Sequence, residues 1–123
     1  QTNVTANING FNFKANDIKA VKGNIYFKAE TGYIYNDSSL GNISKIELIY
    51  GTGGSKSAKQ SVVIGSSVYD TKPSEYTQVI SSSAAGNTGE VLAPEGSNNG
   101  FFRIDVSNKN LQVSSIVIHY SNM

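Results

Sequence analysis

Ser44-Lys45-Ile46-Glu47-Leu48-Ile49-Tyr50 and Ser114-Ser115-Ile116-Val117-Ile118-His119-Tyr120 carry one pattern twice. Ile46, Leu48 and Tyr50 recur at every second position, and so do Ile116, Ile118 and Tyr120. A period of two puts alternate side chains on opposite faces of a strand, so each triplet marks a buried face. All six residues are expected to be mostly buried. Leu111 and Val113 sit on the other parity from Ile116 and Ile118. A uniform strand would send these pairs to opposite faces, so either a bulge lies near Ser114-Ser115 or the stretch is buried on both sides.

The same period extends outward. Phe11, Phe13 and Ala15 alternate with polar residues, and a further candidate runs from Asp17 to Val21. Ile25, Phe27 and Ala29 alternate next, followed by the turn Thr31-Gly32, where Gly32 is a candidate for positive φ. Tyr33-Ile34-Tyr35, Gln60 to Ile64, Glu75 to Ser81, Glu90-Val91-Leu92, and Phe102-Ile104-Val106 complete the strands. Gly51 to Ser57 is a flexible hairpin loop, without the Gly-Lys-Ser order of a phosphate loop. Apolar residues never hold helical spacing for ten residues. Asp70-Thr71-Lys72-Pro73 is the one place with start signals for a short helix. Many short strands at regular spacing define the expected fold. It is an all-β antiparallel β-sandwich, jelly-roll or immunoglobulin-like, with about eight to ten strands in a single domain over residues 1–123.

Composition narrows the function. Asn, Ser, Thr and Gly fill 50 of 123 positions, and charged residues only 15%, below the roughly 25% of an average domain. Such a surface is common on secreted and cell-surface β-proteins. A net charge of +1 with scattered lysines leaves no basic stripe for a phosphate backbone, so no nucleic acid is expected as a partner. No apolar run approaches the roughly 20 residues of a membrane span, so no membrane insertion is expected. The chain begins at Gln1, as it would after signal-peptide cleavage or as a domain cut from a longer protein. The expected location is extracellular or at the cell surface.

The side chains for catalysis are sparse. There is no cysteine, which removes disulfides, thiolate metal sites and cysteine nucleophiles. His119 is the single histidine and has no serine or cysteine signature near it. The nine carboxylates form no strand-end pair of the kind glycoside hydrolysis uses, and they read as solvated surface charges. Asn36-Asp37 and Asp70 are the local candidates for a structural calcium, with no spaced acidic loop beside them. No enzyme activity and no cofactor are expected.

Gly32-Tyr33-Ile34-Tyr35-Asn36, continued by Leu40 to Leu48, resembles a pattern in accessory modules of bacterial secreted and surface proteins. Phe101-Phe102-Arg103-Ile104-Asp105-Val106, continued by Val113 to Tyr120, resembles it too, as does Gln60 to Ser67 between them. Such modules are similar in outline to jelly-roll carbohydrate-binding modules. The matching positions are mainly core and turn residues, so the resemblance implies a secreted, non-catalytic module and no particular binding residue.

The aromatics supply the candidate site. Phe11, Phe13, Phe27, Phe102, Tyr50 and Tyr120 fall in phase with the core. Tyr33, Tyr35, Tyr69, Tyr76 and Phe101 lie near turns or on the opposite phase. A sugar ring stacks its apolar face on an exposed aromatic, while its hydroxyls need amides and charges alongside. Tyr33, Tyr35, Asn36 and Asp37 offer that set, and Asn98, Asn99, Phe101 and Arg103 offer a second, with Arg103 as the charged partner. The expected partner is a carbohydrate or surface polymer, together with other domains of a larger chain. The alternative is a structural or adhesive subunit acting through protein–protein contacts.

Overall fold

The computed structural model describes residues 4–8, 11–21, 23–96 and 98–121, with side chains at 13–20, 23–96 and 98–121. Eleven strands and no helix occur among the described residues: β1 (Val4–Ile8), β2 (Phe11–Asn16), β3 (Ile18–Val21), β4 (Asn24–Phe27), β5 (Tyr33–Asn36), β6 (Asn42–Tyr50), β7 (Lys59–Gly65), β8 (Gln78–Ser81), β9 (Thr88–Leu92), β10 (Phe101–Val106) and β11 (Leu111–Ser121). One sheet has the order β1-β2-β5-β10-β7-β8 and the other β3-β4-β11-β6-β9. Phe27, Ile46, Leu48, Val62, Phe102, Ile104, Leu111 and Val113 fill the space between them, each at most 1% exposed. The rings of Phe13 and Phe102 meet at 5.8 Å.

The pairing is nested. β4 pairs with β11, β5 with β10, β6 with β9 and β7 with β8, all antiparallel. A long hairpin closed at β7–β8 has these partners before it is rolled up. Rolling adds the β6–β11 and β7–β10 pairs. This is a jelly roll, which decides between the two sandwich topologies expected. β1 is the strand beyond those expected. Its apolar positions Val4, Ala6 and Ile8 do hold period two, but five residues with one alanine do not rise above chance.

Two turns differ from expectation. The strand expected from Asp17 begins at Ile18, because Asp17 is the corner where the chain leaves one sheet for the other. Its φ of 49° is left-handed, a region in which aspartate is enriched. Its carbonyl accepts the amide of Lys28 at 3.0 Å, and its carboxylate accepts the Thr31 hydroxyl. In the turn before β5 the positive φ, 70°, falls on Glu30 and not on Gly32. Gly32 is required for closeness instead: a Cβ there would lie 2.8 Å from the carbonyl oxygen of Lys28.

The first repeated phrase is buried as expected, with Ile46, Leu48 and Tyr50 at most 2% exposed. In β11 the register against β6 shifts between Val113 and Ser115, so a bulge resolves the change of phase. Beyond it, β4 has ended, since its ladder with β11 covers Leu111 to Val113. Ile116 and Ile118 are therefore half-buried against the core. Tyr120, expected inside, is 38% exposed after a second register shift at His119.

Candidate functional site

β10 alternates cleanly. Phe102, Ile104 and Val106 enter the core, so Phe101, Arg103 and Asp105 share the outer face of their sheet. The register sets Arg103 opposite Tyr35 and Asp105 opposite Tyr33, then Tyr35 opposite Lys14 and Tyr33 opposite Asn16 on β2. The two tyrosines therefore stand side by side, two residues apart on one strand face. Their ring centroids are 6.1 Å apart and their planes differ by 30°. Both rings are half-buried.

What holds them is Arg103. Its guanidinium carbon lies 4.0 Å from the centroid of Tyr33 and 5.9 Å from that of Tyr35. Such cation–π contacts stabilise by about 0.5–2 kcal/mol, more when dry. Arg103 is 2% exposed and forks onto Asp105, with Nε to Oδ2 at 2.8 Å and a second nitrogen to Oδ1 at 2.9 Å. Its other arm donates to the carbonyl of Tyr69 at 3.1 Å. Asp105 Oδ2 also accepts the Tyr76 hydroxyl at 2.8 Å. Burial, helped by that bond, pushes the Tyr76 phenol up to about 12.

Tyr69 and Tyr76 belong to the 66–77 connection, which folds back over β7 and β10 and covers the pair. Gly65 permits the approach, since a Cβ there would lie 2.0 Å from the Tyr69 hydroxyl. No helix forms at Asp70 to Pro73; the segment is an irregular cover, and β8 starts at Gln78 instead of Glu75. Asp70 still bears on the site. Together with Tyr33 and Asp37 it raises the Tyr35 phenol, although burial is the larger cause.

The structure thus joins the two expected segments and reassigns several members. Tyr33 and Tyr35 form the platform. Asp37 stays on its rim, 3.9 Å from Lys14 Nζ, with both side chains well exposed. Phe101 is half-buried on the same face, one step along β10 from the tyrosines. Asn36 is fully buried and structural: it donates to the carbonyls of Ser38 and Gly100 and accepts the Phe102 amide at 2.8 Å. Asn99 is also buried, donating to the Pro94 carbonyl at 2.8 Å, while its neighbour Asn98 is exposed. Arg103 is no ligand-facing charge but a buried strut, and Asp105 is its counterion and not a solvated carboxylate.

Sequence reasoning missed Lys14 and Asn16, because only pairing with β2 brings them beside the tyrosines. It also missed the outer face of the second sheet. There, Tyr26 on β4 stands opposite Lys19 on β3, with Lys19 Nζ 5.2 Å from the ring centroid. Asp17, Ile18, Lys19, Tyr26, Lys28 and Asn110 line a groove of about 390 Å³ beside it. No cluster of three metal-ligating side chains occurs among the described residues. Comparison with protein-family models finds no match, and no curated protein matches the chain.

Proposed function

We propose that this chain is a non-catalytic, extracellular carbohydrate-binding module that keeps a larger secreted or surface protein near its target. The observation that carries the reading is the Tyr33–Tyr35 pair: two rings side by side on a sheet face, braced by a buried arginine. Adjacent rings of that kind suit successive sugar rings along an extended saccharide. Lys14, Asn16 and Asp37 at the rim supply donors and acceptors for hydroxyl groups. Because Arg103 fixes the rings before binding, little side-chain entropy remains to be lost on the ligand. The reading involves no cofactor and no catalytic group.

The platform is shallow, so dissociation constants of about 10⁻³ to 10⁻⁵ M are expected. Neutral oligosaccharides titrated against isotope-labelled protein should shift the amides of Tyr33, Tyr35 and Asp37. Tyr33→Ala and Tyr35→Ala should each abolish the shifts, while Asn98→Ala should leave them. If a broad glycan panel gives no shift on this face, the adhesive-subunit reading replaces this one.

A further inference from the structure

We propose a second saccharide site, selective for acidic sugars, in the grooves on either side of Tyr26. It stands on residues separate from the platform, at the end of the molecule where the 51–58 and 107–110 loops meet β3 and β4.

The site is built from well-anchored parts. Gln112 on β11 stands opposite Tyr26, and its Oε1 accepts the Gly53 amide at 2.6 Å. That bond draws the 51–58 loop down onto the sheet. Gly54 has a φ of +74° and its Cβ would meet the Gln112 amide nitrogen at 2.7 Å, so only glycine fits this wall. Ser55 N–H donates to the Asn110 carbonyl at 2.9 Å. Asn110 Oδ1 accepts the Ala29 amide at 2.8 Å, which leaves its side-chain N–H groups without a protein acceptor among the described residues. Tyr26 and Asn110 then border two hollows at once. The groove of about 390 Å³ lies on one side, and a hollow of about 560 Å³ bounded by Ala29, Gly54, Ser55, Asn108 and Lys109 lies on the other. A chain of two or more sugars crossing from one to the other passes over Tyr26 and its amide neighbour.

The charge selects the class of sugar. Lys19, Lys28 and Lys109 line the two hollows, against the single carboxylate of Asp17. That carboxylate already accepts the Thr31 hydroxyl. Among the described residues Lys14, Lys45, Arg103 and His119 each form a close ion pair with a carboxylate, whereas none of the three groove lysines does. Asp17 is held below the usual carboxylate range first by the Thr31 hydrogen bond and only in lesser part by the charge of Lys28. Lys109 Nζ donates only to the neutral Ser57 hydroxyl at 3.0 Å. A ring for stacking, a free amide and three ammonium groups against one carboxylate, a net positive lining, match a saccharide bearing carboxylate or sulfate. The platform on the other sheet, where Lys14 faces Asp37, has no such excess.

The test is titration of isotope-labelled protein with three probes: an oligogalacturonate, an oligosaccharide of sulfated dextran, and neutral cellotetraose. The acidic probes should shift the amides of Lys19, Tyr26 and Asn110 and bind at least about fivefold tighter there than the neutral one. The relative strength of the two acidic probes tells carboxylate from sulfate as the natural group. Tyr26→Ala should weaken acidic binding about tenfold while Tyr26→Phe retains it, and Lys19→Ala and Lys28→Ala should each weaken it about two- to fivefold. Raising salt should weaken it further. Tyr35→Ala should leave acidic binding intact, which separates this site from the platform. Equal shifts with neutral and acidic probes, no shift at Tyr26, or loss of acidic binding with Tyr35→Ala would each overturn the proposal.

Discussion

Tyr50 ends the first repeated phrase, and its hydroxyl explains why a tyrosine stands at a core position. The ring is 2% exposed, yet the oxygen donates to Oε1 of Gln60 at 2.8 Å and lies 3.1 Å from the Ser81 carbonyl. Gln60 is itself fully buried, and its Nε2 donates to the Ala58 carbonyl at 2.5 Å. The period of two predicts that Tyr50 points inward; it does not predict that a glutamine waits for it across the core. Tyr50→Phe leaves that buried acceptor without a donor and should cost about 1–3 kcal/mol. Burial also pushes the Tyr50 phenol up to about 12, from an ordinary 10.0. The sign follows from linkage. Between pH 10.0 and about 12 the unfolded chain releases this proton while the fold retains it, so stability present below pH 10.0 is lost as pH rises through that window. Tyr76, also raised to about 12, acts in the same direction. Ultraviolet titration should show these two phenols ionising late. In Tyr50→Phe one late phenol should disappear and the alkaline fall in stability should become shallower. An unchanged late amplitude would mean that the hydroxyl is not held as described.

The element that organises the candidate site is β10, where one strand carries core on one face and an ion pair on the other. Arg103→Met leaves Asp105 buried without its cation and should cost about 3–5 kcal/mol, as should Asp105→Leu through the stranded arginine. The double variant should recover most of that loss, because both desolvation penalties go together. Denaturant unfolding of the four proteins gives the coupling; additive losses would show that the two groups act independently. If the platform is the saccharide site proposed above, the same double variant should still weaken binding there, since Tyr33 loses the guanidinium beside its ring. This strand also shows where reading the sequence stops. Phe102, Ile104 and Val106 announce the inward face by period alone, and the tyrosine pair of β5 was legible as an off-phase aromatic cluster. The burial of Arg103 and Asp105 was not legible, because it depends on the 66–77 connection folding back from a sheet edge. Nothing in Asp70 to Pro73 states where that segment lands. The change of phase in β11 was legible because it interrupts a pattern within one strand; that a bulge and not burial on both faces accounts for it is set by the register against β6. The exposure of Tyr120 was not legible, because it depends on a second register shift against β6, just after His119.

Across the whole molecule the nested pairing makes the last strand the keystone of its sheet. β11 lies between β4 and β6, pairing Leu111 with Phe27 on one side and Ile116 with Leu48 on the other. Only β7 and β8 form a pair adjacent in the chain among the four nested pairs; every other pair waits for one further inside or for the chain to be complete. Loop-closure entropy is therefore met before most of the contacts that reward it. Refolding should be slow for a domain of this length, in about the millisecond-to-second range of β-sandwiches. It should also proceed without an early helical phase in circular dichroism. Removing residues 111–123 should abolish cooperative unfolding altogether, because Ile46 and Leu48 lose their neighbouring strand and the core opens along its length. By contrast, β9 at the far edge pairs, among the described residues, only with β6, so a change confined to its exposed face should be mild. Leu92→Ser, at a side chain 64% exposed, is the matched control and should alter stability by less than about 0.5 kcal/mol. A truncated chain that still unfolds cooperatively would mean that the sandwich closes without its central strand, and the nested order would then not govern its folding.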